Sequence, residues 1–250
     1  MQLNYAQDSS GRYILSKKDI DNIATAILKE YSPQNLTTPV PLDTSDFLEN
    51  YLGLTIKRKY IGTFKSGILG LIVMNDVAQI PSYDERLRPT VLEETFGTVL
   101  ISLKLMCREK VPRKRFTEAH EGAHFILHRD YFSKCSNDSA NQEINKYNYI
   151  ACRENIMEDI KPKDDLEWIE WQANSLAAAL LMPKDIFCEY SCSLIRRAAI
   201  LDGYLDFRPS YYQVNIKNVI SNVAKKFNVS YKAAKIRMMQ VGLVNEDNYI

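Results

Sequence analysis

The stretch Arg115-Phe116-Thr117-Glu118-Ala119-His120-Glu121-Gly122-Ala123-His124-Phe125-Ile126-Leu127-His128 holds every histidine of the chain. Wound as an α-helix at about 100° per residue, it sets His120, His124 and His128 at roughly 0°, 40° and 80°, along one line. Phe116, Ala119, Ala123, Ile126 and Leu127 fall on the adjoining apolar face. The reading is a buried helix with an imidazole stripe along one border. Two imidazoles one turn apart reach a single metal ion at about 2.0–2.1 Å, which is why zinc peptidases use the HExxH spacing. Glu121, flanking the stripe, is placed to hold a metal-bound water. His128 stands about 12 Å along the helix from His120, too far to share one metal with it. It is assigned to packing or to a hydrogen bond behind the ligands.

A zinc site needs a third protein ligand and an open position for water. No histidine remains elsewhere, so a carboxylate must supply it. The downstream candidates are Asp130, Glu143, Glu154, Glu158, Asp159, Asp164, Asp165, Glu167 and Glu170. Glu167 and Glu170 lie three apart on one expected helix, and spacing leaves them rivals. The same acidic run would also suit a solvated helix N-terminus, where carboxylates favour the dipole.

Around this helix the chain reads as α+β. Apolar residues at helical spacing run from Asp19 to Tyr31, and a second helix is expected from Thr44, capped by Thr44 or Ser45, to Tyr51. Leu54 to Tyr60, Gly67 to Asn75, Val77 to Ile80 and Thr98 to Leu105 read as strands, with a turn at Asn75-Asp76. The active-site helix is expected over Thr117 to Phe132, and Ser133 to Asn148 as a loop. A long helix is expected from Asp165 to near Pro183. Further helices complete the chain.

The composition narrows the classes. The chain has 250 residues, 46% hydrophobic and 25% charged, with 32 basic against 31 acidic side chains. These values fit a globular protein and give no global polycation for nucleic acid. Cys107, Cys135, Cys152, Cys188 and Cys192 form an odd set without a CxxC pair, which reads as free thiols in a reducing compartment. The N-terminus lacks a secretory pattern and no apolar run spans a bilayer, so the expected location is the cytoplasm, with no membrane partner.

With these residues goes a second stretch, Glu170-Trp171-Gln172-Ala173-Asn174-Ser175-Leu176-Ala177-Ala178-Ala179-Leu180-Leu181-Met182-Pro183. The two together closely resemble the ImmA/IrrE zinc metallopeptidases, whose patterns are RFTxAHELGHxxLH and ExxANxFAxxLLMP. The departures are Ala123, where the family usually has glycine, and Leu176 in place of phenylalanine. The resemblance implies a zincin-like α+β fold with a small sheet, an active-site helix and a helical C-terminal region. It also implies Zn²⁺ held by His120, His124 and Glu170, with Glu121 as the catalytic base. Asn174, one turn beyond Glu170, is suited to orient a histidine. The implied function is a regulatory zinc endopeptidase, of a kind often carried by mobile elements, cutting a protein such as a helix-turn-helix repressor. The alternative is a non-proteolytic metal-binding regulator that displaces a repressor or binds DNA.

An extended substrate is expected to pair with a strand edge, with Gly67 to Val73 the candidate. Tyr131, Tyr147 and Tyr149 are available as oxyanion donors. Residues 1–205 are read as the peptidase domain and 206–250 as a helix-turn-helix-like segment, with Asn228 left-handed in its turn and Ser230 capping the second helix. From Leu194 to Ile250 nine basic residues face four acidic ones. DNA contact through Lys232 and Lys235 is the sharper reading of that excess, and packing of a helical pair the favoured one.

Overall fold

The computed structural model describes residues 3–62, 66–135, 149–153, 162, 164–198, 200, 203–206 and 213–245. The described chain falls into two compact units. One comprises Met1–Ile20 and Asp43–Ala177, the other Asp21–Leu42 and Ala178–Ile250.

The first unit is built on a six-stranded sheet. Its strands are β1 (Thr55–Ile61), β2 (Ile68–Val73), β3 (Val77–Tyr83), β4 (Pro89–Thr95), β5 (Thr98–Ser102) and β6 (Tyr149–Arg153), in the order β4-β3-β1-β5-β2-β6. All neighbours are antiparallel except β1 and β5, where Thr55 pairs with Thr98 in a parallel ladder. β2 and β5 are buried along their whole length. Their continuous apolar runs, ILGLIV and TVLIS, suit strands covered on both faces, and each large buried side chain contributes about 2 kcal/mol. Ile61, Ile68, Leu71, Val73, Ala78, Ile80 and Leu100 pack as one core cluster.

β4 and β6 are not legible as strands from the sequence. β2 is also not an edge, because β5 flanks it on one side and β6 on the other, with Leu71 opposite both Leu100 and Ala151. The expectation that Gly67 to Val73 offers a free edge is therefore corrected: from Gly70 to Ile72 the strand is paired on both sides. The chain bends at Asn75 and Asp76 as expected, but β2 and β3 are not neighbours in the sheet.

Helix α4 (Val111–Cys135) packs on β2 and β5. The short helix α3 (Thr44–Asp46) runs into a π-helical turn, Phe47–Tyr51. Asp43, rather than Thr44 or Ser45, caps α3 by accepting from the Asp46 amide. Thr44 instead donates to Glu118 on α4. Gly122 marks the closest approach of α4 to that turn, since a Cβ there would lie 2.7 Å from Leu48 Cδ2. Helix α5 (Asp165–Leu181) starts with Asp164 accepting from the Glu167 amide and supplies the first unit through Ala177. The expected loop at 133–148 lies mostly outside the described residues.

The second unit is helical. It contains α1 (Lys17–Tyr31) from Asp21 on, α2 (Gln34–Thr37), α6 (Lys184–Arg197), α7 (Gln213–Phe227) and α8 (Tyr231–Gln240), with the parallel pair β7 (Leu205–Asp206) and β8 (Val244–Asn245). Phe227 of α7 meets Phe187 and Tyr190 of α6, with ring centroids 5.3 and 6.1 Å apart. Asn228 adopts φ 51°, and Ser230 caps α8 by accepting from the Ala233 amide, as the sequence suggests. Arg237, counted above as part of the basic excess, is buried. It donates to Asp21 at 2.6 Å and to the Met182 carbonyl at 3.2 Å. No helix among the described residues is long and apolar enough to cross a membrane.

Candidate metal centre

The i, i+4 spacing on α4 brings His120 Nε2 within 2.9 Å of His124 Nε2. From α5, Glu170 places Oε2 3.4 Å from His120 Nε2 and Oε1 3.4 Å from His124 Nε2. The three donors lie within 4.8 Å of one another. Both imidazoles are buried, while Glu170 keeps 28% of its side chain exposed.

The other ring nitrogens decide what the cluster can bind. His120 Nδ1 lies 3.0 Å from Asn174 Oδ1, which accepts from it, so Nδ1 carries the hydrogen and Nε2 a lone pair. Asn174 thus makes the contact its position one turn beyond Glu170 suggests. His124 Nδ1 lies 3.1 Å from His128 Nδ1, and His128 Nε2 lies 3.0 Å from Gln172 Oε1. Lone pairs and a carboxylate converging this closely call for a cation, and two imidazoles with one carboxylate suit a borderline-soft divalent ion.

Burial lowers the pKa of His124, as does the neighbouring His120. Burial and His124 lower that of His128 to about 3. Both rings are therefore neutral near pH 7, as ligand and acceptor roles require. For Glu170, burial pushes the pKa up, but His124 and His120 outweigh it and hold the carboxyl below its usual range.

Glu121 lies against the sheet. A Cβ on Gly70 of β2 would run into Thr117 Cγ2 and come within 2.9 Å of Glu121 Oε1. The missing side chain at Gly70 makes the space that this carboxylate occupies. Both Glu121 oxygens are fully buried and make no hydrogen bond among the described residues. Burial first, then the charge of Glu170, raises its pKa well above the ordinary value. A carboxyl so placed holds its proton more tightly than a solvated one.

The structure thus brings His120, Glu121, His124 and Glu170 together. The rival carboxylates stand elsewhere: Asp165 pairs with Arg12 at 3.3 Å, Asp130 with Arg129 at 3.4 Å, and Asp164 caps α5. Glu167, the nearest rival by spacing, is not in the cluster. Glu143, Glu154, Glu158 and Asp159 lie outside the described residues, as does Tyr147. Tyr131 is buried beside Phe132, with ring centroids 5.1 Å apart, and Tyr149 is half-buried on β6.

Sequence reasoning missed the place of Cys152. It lies opposite Gly70 in the β2–β6 ladder and forms a buried group with His120 and Glu121. Burial and Glu121 raise its thiol pKa well above the ordinary value. The glycine at position 70, isolated in an apolar run, was the available signal of a close approach.

More than half of the chain, residues 105–239, matches the IrrE N-terminal-like domain, a peptidase family designated M78. The chain belongs to that family. The IrrE-like assignment makes it a metallopeptidase relative with a zincin-like α+β fold, and His120, His124 and Glu170 can hold its metal ion. Among curated proteins none matches the chain significantly. Among solved structures it is similar to a Mycobacterium tuberculosis transcriptional regulator, at 12% identity and a TM-score of 0.44. That match covers 88% of this chain and 46% of the regulator, so the chain spans less than half of its length.

Proposed function

We propose that this IrrE-like chain is a zinc-dependent endopeptidase in which His120, His124 and Glu170 hold the metal and Glu121 is the general base. The observation that carries this reading is the Glu121 carboxylate, buried and unpartnered beside three converging metal donors. A scaffold has no reason to bear the cost of such a group. Zinc, when bound, supplies Lewis acidity that activates a water and polarises the scissile carbonyl. Glu121 Oε1 or Oε2 takes the proton of the attacking water and passes it to the leaving amine. Asn174 holds the ring of His120 in register for the metal. An extended substrate adds to the sheet along the outer edge of β6, since β2 is enclosed.

The substrate class we favour is a protein such as a helix-turn-helix repressor, and the compartment the cytoplasm. DNA contact through α7 and α8 is disfavoured, since Arg237 is committed to Asp21 and Met182.

Metal content of the purified chain, compared with Glu170→Ala, tests the site. About one zinc per chain is expected, lost or much weakened in the variant. Glu121→Gln then separates the activities. A peptidase loses cleavage while keeping zinc, whereas a regulator that only displaces its partner survives the change.

A further inference from the structure

Behind His124 a chain of hydrogen bonds leads away from the metal site and ends on the backbone of the N-terminal turn. Gln172 Nε2 donates to the Tyr13 carbonyl at 2.6 Å, and Gln172 Oε1 faces His128 Nε2 at 3.0 Å. His128 Nδ1 in turn faces His124 Nδ1 at 3.1 Å. Gln172, His128 and His124 are all at most 1% exposed, so no solvent competes for these groups.

The far end fixes the direction of the whole chain. A backbone carbonyl can only accept, so the Gln172 amide must turn its nitrogen to Tyr13 and its oxygen to His128. That oxygen also only accepts, so the hydrogen of the neutral His128 ring sits on Nε2. Nδ1 of His128 then bears a lone pair, which only a hydrogen on His124 Nδ1 can satisfy. His124 Nε2 is left bare, and it is the atom that faces His120 and Glu170.

The carbonyl itself is held in place. Asp8 accepts from the Gly11 amide to close the turn, and Gln7 bridges to Tyr13. Arg12 pairs with Asp8 at 2.7 Å and with Asp165 of α5 at 3.3 Å, and lies 5.6 Å over the Trp168 ring.

We infer that Gln172 and His128 are positioning residues. Anchored on the Tyr13 carbonyl, they hold His124 in the tautomer and orientation that present Nε2 to the metal. This inference rests on the metal reading above. It assigns to the N-terminal turn a part in metal binding, although the turn supplies no ligand.

The test is zinc affinity of the full chain, by competition with a chelator, for wild type, His128→Leu, His128→Asn and Gln172→Met. His128→Leu and Gln172→Met are expected to bind zinc about 10–100-fold more weakly. His128→Asn is expected to stay within a few-fold of wild type, because Oδ1 takes the place of Nδ1 and accepts from His124. The visible spectrum of the Co²⁺ form is a second readout. It shifts in the Leu and Met variants and is retained in the Asn variant, whereas loss of packing alone leaves the ligand field unchanged. Wild-type affinity and spectrum in Gln172→Met, or an Asn variant as weak as the Leu variant, overturn the positioning role alone. A wild type that takes up neither zinc nor cobalt overturns the metal reading, and the relay with it.

Discussion

Glu118 and Glu121 stand one turn apart on α4, both without exposed surface, and the fold treats them in opposite ways. Glu118 accepts from Thr44 at 2.5 Å and from Ser45 at 3.1 Å, and pairs with Lys114 at 2.6 Å. Glu121 has no hydrogen-bond partner among the described residues. One carboxylate ties α4 to the segment that begins at Thr44. The other is set against Gly70 with its oxygens left for something that is not protein. A buried charge with a full set of partners is architectural, and one with none must be explained by what it does.

The largest effect is expected on the unpartnered side. Glu121→Gln should lower cleavage by about 10²–10⁴-fold, with zinc content unchanged. Folding stability should hold or rise, because an amide costs less to bury than a carboxylate. Turnover, elemental analysis and urea denaturation read the three quantities, and an unfolded variant would break the contrast. On the satisfied side, Glu118→Ala removes the acceptor of Thr44 and Ser45 and the carboxylate paired with Lys114, and should cost about 3 kcal/mol in urea unfolding. A loss no larger than that of Glu121→Gln would show that its partners contribute nothing.

Acid sharpens the picture in the metal-free protein. His128, at about 3, stays neutral in the folded chain, and burial disfavours protonation of His124. The unfolded imidazoles, at about 6.5, take up protons first. The unfolded state then binds more protons, so stability falls as the pH drops from about 6.5 towards 3. Glu170, held low by the histidines, acts in the same direction, and Glu121, held high, opposes it. In Glu121→Gln, which removes the opposing group, the urea midpoint should be lower at pH 5 than at pH 7, and equal midpoints there would show the imidazoles already protonated when folded. The smallest effect is expected from Gly70→Ala. Its Cβ would crowd Thr117 and Glu121, at about 1–3 kcal/mol in stability, with zinc affinity kept because no ligand moves.

Much of the centre was legible because its parts are periodic. HExxH is a statement about one helical turn, and the Glu170 stretch is another helix with its own signature. Spacing alone could not choose Glu170 over Glu167; that choice came from the resemblance, and the structure places Glu170 beside both histidines. What escaped was non-local. β6 is a short YIACR run, and β4 begins with a proline and carries two glutamates, so neither announces a strand. The place of β2 inside the sheet depends on β6, which is why the expected edge was misplaced. Gln172 and Tyr13 were invisible for the same reason, since their bond joins distant parts of the chain.

The sheet order also sets a timetable. α4 is made of local contacts and can wind within about a microsecond. The floor beneath it requires Thr55 to find Thr98 and Ile68 to find Arg153, and non-local pairings of this kind govern folding rates. During synthesis at about 5–20 residues per second, Glu170 follows His124 by roughly 2–9 s. A nascent chain therefore displays two imidazoles before either β6 or the carboxylate of α5 exists, and the three donors can meet only after both have been made.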